Sequence, residues 1–257
     1  MVRAVKLRHT AEGGYARGEE TRARIVAAAL RMFGERGFEA ASTRDIATSA
    51  GVNAPALQYY FDNKEGVYLA CVEHIGARVW ECLSDVAAKA ERALAENASD
   101  ADLIERFCAL QEQFAEFMFT VKDAEDWRLF MARLQSGEGP PAGFQFIYQH
   151  VSGRITQILA GIVGRLLDQP ADDEDTLIRT TTVSGQLHVF QVARRSVLAR
   201  LNWDRVDASR LAVLKRILRE HTTVLLDAMV KARDSGATLR GKRPASRVKR
   251  KRVPGAA

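Results

Sequence analysis

The chain contains no apolar run approaching the ~18 residues that a membrane-spanning helix needs. Its opening MVRAVKLRHT also lacks the apolar centre of an export signal, so a cytoplasmic location without membrane contact is expected. Cysteine is scarce: Cys71, Cys82 and Cys108 are odd in number and widely spaced, with no C-x-x-C pair. That argues against a disulfide framework or a zinc site and for buried reduced thiols, with no metal. Internal repeats, β-type alternation and a glycine-rich phosphate loop are also missing. An enzyme would need a nucleophile beside its base, paired carboxylates or a cofactor loop. The acidic run DDED (172–175) fits better as a helix's first turn, where negative charge suits the dipole. Neither enzymatic activity nor a cofactor is expected.

What is present begins with 47% apolar residues, ample for a buried core, and a net charge of +6 that is unevenly spread. Residues 231–257 hold ten Lys/Arg against Asp234 alone, so the chain before them sums to −3. Residues 1–18 carry Arg3, Lys6, Arg8 and Arg17 against Glu12. An acidic folded body between two disordered basic arms, 1–18 and 235–257, is expected. The tail would meet phosphates rather than base edges, or act only as a solvated extension.

Helical periodicity runs nearly throughout. From Glu19 to Arg36 the apolar positions Ile25, Ala29, Met32 and Phe33 fall on one face, and Gly37 stops the helix. Ser42 and Asp45 form an S-x-x-D capping box for a second, short helix that Gly51 ends. Asn53 can cap a third, with Pro55 tolerated in its first turn. Ala47, Gly51 and Leu57 then sit where a helix-turn-helix needs a small residue at the crossing, positive φ in the turn and an apolar anchor. Ile46 and Phe61 add core contacts. The remaining face of the third helix, Ala54, Pro55, Ala56, Gln58, Tyr59 and Tyr60, is small at one end and hydrogen-bonding further along. Such a face suits close approach to base edges in a DNA groove.

The stretch "TRARIVAAALRMFGERGFEAASTRDIATSAGVNAPALQYYFDNKEGVY", with its F-x-x-x-G-F, T-R-D-I-A, A-G-V and Y-Y-F-x-x-K-E motifs, resembles the N-terminal domain of the TetR family of bacterial transcriptional regulators. The resemblance implies an all-helical homodimer in which each subunit offers one recognition helix to a half-site of a double-stranded palindromic operator. It further implies a C-terminal domain that binds an inducer, and a repressor mode of action. On this basis Thr43 touches a phosphate and Arg44 a base or phosphate, and Pro55, Ala56, Gln58 and Tyr59 face the groove. Tyr60 and Lys64 hold the backbone, and Asn53 belongs to the same DNA-binding set. Position 58 is often tyrosine in this family; a glutamine can bond adenine bidentately where tyrosine cannot.

Beyond Lys64 a long stripe from Tyr68 through Val72, Ile75, Val79, Leu83 and Val86 to Ala90 predicts a single helix joining the reading head to a second domain. Helical patterns follow over 103–121, 125–135, 144–168, 173–201 and 206–233, with a break at 96–102 and a Gly/Pro loop at 136–143. Phe107, Gln111, Phe114, Met118, Trp127, Phe130 and Phe144 mark the region of a pocket for a small apolar or amphipathic inducer. The last helix has two apolar stripes where one core contact needs only one, so a self-interface is expected. Its residues are Leu214, Leu218 and Leu225, together with the small polar strip of Thr181, Gly185 and His188. The segment "GQLHVFQVARRSVLARLNW" (185–203) is similar to the C-terminal region of CecR-like TetR regulators.

The expected protein is therefore all-α, with a three-helix helix-turn-helix domain over 19–66 and a helical ligand-binding and dimerisation domain over 67–234. The alternative is a non-specific nucleic-acid-binding protein acting through its basic tail.

Overall fold

A computed structural model describes residues 11–120 and 124–236, and among them the regular structure is helical throughout. The reading head comprises α1 (Ala11–Ala40), α2 (Thr43–Ser49) and α3 (Ala54–Phe61). Helix α4 (Lys64–Ala95) leaves it, followed by α5 (Asp100–Thr120), α6 (Ala124–Gln135) and α7 (Pro141–Ile147). A π-helical turn, Tyr148–Ser152, joins α7 to α8 (Gly153–Leu167). Then come α9 (Glu174–Ser184), α10 (His188–Val192), α11 (Arg194–Leu201) and α12 (Ala208–Asp234).

The first helix begins at Ala11, not at Glu19, so part of the expected N-terminal arm is helical. Its early turns gain a neighbour: a Cβ built on Gly18 would lie 3.7 Å from the Tyr60 hydroxyl of α3. Residues 1–10 and 237–257, which hold most of the two basic arms, lie outside the described residues. At Gly37 the backbone turns to φ 81, ψ 168, which interrupts α1 where the glycine is placed to do so.

Three clusters of buried side chains form the core. The first does not respect the domain boundary expected at 66/67. It joins Ile25 and Phe33 of α1, Ile46 of α2 and Leu57 of α3 to Tyr68 of α4 and Phe130 of α6. The second holds the far end of α4 (Ala87, Ala90) against Phe107, Ile162 and Leu226. The third gathers Leu187, Leu198, Leu211, Leu214 and Leu218. Ion pairs clamp α12 to α5 along their length, with Arg219 on Glu112 at 2.6 Å, Lys215 on Glu116 at 3.0 Å and Arg233 on Asp100 at 2.7 Å.

Two stretches expected as single helices are broken. The pattern 144–168 starts earlier, because Pro141 is tolerated in a first turn, and it carries the π turn. The pattern 173–201 divides at a 3-10 turn, Gly185–Leu187, and again at Ala193. The Val183 carbonyl accepts hydrogen bonds from the side-chain amides of Gln111 and Gln186, both at 2.9 Å, just ahead of a glycine with poor helix propensity. The Gln111 bond is tertiary and leaves no trace in local periodicity.

Candidate nucleic-acid interface and ligand cavity

The turn between α2 and α3 is held by a complete backbone motif. Gly51 takes φ 66, the Gly51 amide donates to the Thr48 carbonyl at 3.1 Å, and the Val52 amide donates to the Ala47 carbonyl at 2.9 Å. A residue with a Cβ would be strained at that φ. Ser42 Oγ accepts the Asp45 amide at 3.1 Å, and Asn53 Oδ1 accepts the Ala56 amide at 2.9 Å, so both helices are capped by the residues placed to cap them. Ile46, Ala47, Leu57 and Phe61 face inward.

The outward face of α3 carries Pro55, Gln58 and Tyr59, all exposed, with Tyr59 83% exposed. Ala56 and Tyr60 are half-buried. Thr43 and Arg44 open α2, Thr43 half-buried and Arg44 exposed. Two members of the set have structural duties as well. Asn53 spends its carbonyl oxygen on the helix cap, and Lys64 Nζ donates to the Glu39 carbonyl at 3.2 Å while lying 4.4 Å from the Phe38 ring centroid. Arg24 of α1 was not singled out from the sequence. Its guanidinium lies 3.8 Å from a Cβ built on Gly51, which sets a further cation beside the turn.

Behind the reading head, aromatic rings join three helices. Tyr68 lies 5.3 Å from Phe33, 5.3 Å from Phe38 and 4.8 Å from Phe130, centroid to centroid. Burial pushes the Tyr68 phenol up to about 12, helped by the neighbouring Cys71 and Glu138, and burial likewise holds the Cys71 thiol well above its ordinary range. Arg133 of α6 donates to the carbonyls of Gly34 (2.8 Å) and Glu35 (3.1 Å), placing a cation on carbonyls that α1 loses at its Gly37 break.

The other face of α6 borders a partly open cavity of about 240 Å³ lined by α4, α5, α6, the α7–α8 junction, α8 and the α9–α11 segment. Of the residues expected there, Gln111, Phe114, Met118 and Trp127 line it. Three do not. Phe107 is buried in the second core cluster, and Phe130 turns the opposite way into the rings around Tyr68. Phe144 is 51% exposed and stacks on Tyr148. Gln111 is wall rather than open contact: its amide donates to the Val183 carbonyl, and its oxygen accepts the Thr222 hydroxyl at 2.8 Å. The sequence reading missed Val79 and Leu83 of α4, Ile155 and Leu159 of α8, and Arg194. An apolar stripe that lines a cavity has the same spacing as one that fills a core, so the aliphatic residues had no separate signal.

The two stripes of α12 part company. Leu214 and Leu218 are buried against their own protomer, which corrects their assignment to the self-interface. They point inward because the 3-10 turn brings Leu187 and α11 brings Leu198 onto that side of α12. Leu225 stays exposed, together with Val213, Ile217 and Val224, the last 68% exposed. Thr181 and His188 are exposed and Gly185 half-buried, while His188 also reaches the cavity. Among the described residues no cluster of His, Cys, Asp or Glu is arranged to hold a metal ion, and no helix is long and apolar enough to cross a membrane.

Comparison with known proteins gives two family matches. Residues 25–71 match the family described as bacterial regulatory proteins, tetR family, and residues 103–229 match the C-terminal domain of the HTH-type transcriptional dual regulator CecR. The chain is similar to the CecR regulator of Shigella flexneri, 28% identical over 217 residues that cover 83% of this chain and 94% of that one. A transcriptional regulator from Pseudomonas aeruginosa PAO1 shares the fold, with a TM-score of 0.58 at 18% identity over 84% of this chain and 94% of that one. A TetR-family regulator from Mesorhizobium loti MAFF303099 does so with a TM-score of 0.51 at 17% identity, covering 84% and 98%.

Proposed function

Because the chain belongs to the TetR family of bacterial transcriptional regulators and carries its DNA-binding helix-turn-helix, we propose that it is a ligand-responsive repressor binding a palindromic operator as a homodimer. Family and relatives are regulators, not enzymes. The observation that carries the ligand response is that α6 serves two neighbours. Trp127 and Met131 border the cavity, while Phe130 and Arg133 hold α1 of the reading head. A ligand that favours a different seat for α6 or α4 changes the separation of the two recognition helices. A coupling of about 1 to 3 kcal/mol between ligand and operator is then expected.

The self-association half of the proposal is supported by the apolar side chains left exposed on α9, α10 and α12, among them Ile178, Val192, Val213, Val224 and Leu225. Pairing two protomers through that face would present two copies of α3, to half-sites whole helical turns apart at roughly 34 Å each. Pro55, Ala56, Gln58 and Tyr59 would face the bases, Arg44 a base or a phosphate, and Thr43, Tyr60 and Lys64 the backbone, with Asn53 in the same DNA-binding set.

Footprinting on the DNA flanking the gene tests this. A discrete inverted repeat protected by an even number of subunits is expected. A single unpaired half-site occupied by monomer overturns the dimeric reading, and protection without register points to a protein that coats nucleic acid through its basic tail.

A further inference from the structure

The five arginines of α1 divide by partner. Arg22, Arg31 and Arg36 each face a carboxylate, Glu73 at 3.9 Å, Asp126 at 3.6 Å and Asp45 at 3.8 Å. Arg17 and Arg24 are exposed, and among the described residues no carboxylate is ion-paired with either; Glu20, exposed and one turn from both, pairs with neither. The two are linked through Thr21, whose hydroxyl donates to the Arg17 carbonyl at 2.9 Å while Arg24 Nη2 donates to the Thr21 oxygen at 3.5 Å. This edge of α1 borders the α2–α3 turn: Arg24 Nη1 lies 3.8 Å from a Cβ built on the exposed Gly51. The neighbouring edge packs on α3, with the Arg22 guanidinium 5.3 Å from the Phe61 ring centroid.

The major groove of DNA, about 12 Å wide, just admits a helix of about 10 to 12 Å diameter, so a helix seated there has a sugar-phosphate strand at each flank. A guanidinium without a carboxylate partner beside the entry to α3 is placed for such a strand, since its planar fork matches a phosphate through charge-assisted hydrogen bonds. Resting on the proposed seating of α3 in the groove, we infer that α1 is a second phosphate-binding element. Arg24, with Arg17 on the same edge, holds the strand that flanks the α2–α3 turn. Tyr60 and Lys64 stand at the other end of α3, so the recognition helix is fastened to the backbone at both ends. Phosphates carry no base identity, so the contact adds affinity without choosing sequence.

Fluorescence anisotropy of the full chain on two duplexes of about 30 base pairs, the footprinted sequence and a scrambled version of it, from about 50 to 200 mM salt, tests the contact. Arg24→Gln should weaken both by the same factor, about three- to tenfold at low salt, and flatten the slope of log affinity against log salt by about 0.9. Arg17→Gln/Arg24→Gln should flatten it by about 1.8. Glu20→Gln should tighten both duplexes, since it removes a charge of the phosphate's sign. Arg31→Gln, the same loss of charge on the same helix but beside Asp126, should leave the slope alone. An unchanged slope in Arg24→Gln, or an equal change in Arg31→Gln, overturns the contact. Arg24→Lys should keep the slope, and a slope flattened by lysine overturns the contact even if the glutamine chain misfolds. A loss confined to the footprinted duplex overturns the phosphate assignment in favour of a base contact. Gln58→Ala in the same assay separates the two readings: if it spares discrimination while Arg24→Gln flattens the slope, the α1 contact stands and only the face of α3 is reassigned.

Discussion

Gly34 and Phe130 bring the backbones of α1 and α6 together: a Cβ built on Gly34 would lie 3.2 Å from the Phe130 amide nitrogen, and 3.2 Å from the Asp126 carbonyl oxygen. The reading head therefore touches, at this glycine among other contacts, the helix that borders the cavity. Gly34→Val should force the helices apart and cost roughly 1 to 3 kcal/mol, as overpacking does where backbone cannot yield. Urea unfolding at unchanged m-value measures it. Wild-type stability in this variant would mean that α6 is not seated on α1 as described.

On the proposed reading face, Gln58→Ala should relax base preference at one position per half-site and weaken cognate DNA by about 1 to 3 kcal/mol. Lys64→Ala should weaken cognate and scrambled DNA alike, and also loosen the reading head slightly, because its ammonium is bonded to the Glu39 carbonyl. Fluorescence anisotropy on operator and single-base variants reads both. An equal loss on cognate and scrambled DNA for Gln58→Ala would move the reading face elsewhere.

The two stripes of α12 predict opposite behaviour for neighbouring leucines. Leu225→Arg should give a folded monomer by light scattering, because the side chain is exposed in the protomer. Leu218→Ala should instead cost roughly 2 to 5 kcal/mol of stability through the cavity it opens in the third core cluster. A Leu225→Arg chain that stays dimeric would place the self-interface on another surface.

Alkaline stability should report the Tyr68 junction. The phenol is raised from its ordinary 10.0 to about 12 in the folded chain, so the unfolded state releases its proton first. Its contribution is fully present below pH ~10 and is lost as pH rises toward about 12, at up to about 1.4 kcal/mol per pH unit. Tyr68→Phe should flatten the fall of stability over that window, with Cys71 present in both chains. Chemical denaturation from pH 9 to 12 gives the two slopes, and identical slopes would mean that Tyr68 is solvated.

The sequence alone was enough for the caps and turn of the helix-turn-helix. Ser42, Gly51 and Asn53 act through contacts within a few residues of themselves, so caps and turn are legible from spacing. The long helix α4 was legible for the same reason, since periodicity is local, whereas the breaks at 148–152, 185–187 and 193 in the helices behind it were not. Only tertiary structure decided how those helices spend their faces. Leu218 and Leu225 are alike in the sequence, yet one packs on Leu187 and Leu198 while the other is left exposed. Phe130 and Trp127 lie one helical turn apart, and the first packs among rings from α1 and α4 while the second borders the cavity. Arg128 and Arg194, far apart in the chain, line one cavity, and the helix break that precedes Arg194 lies where Gln111 of α5 bonds the Val183 carbonyl. Periodicity shows that a residue is apolar on a helix face, and the partner across that face belongs to another part of the chain.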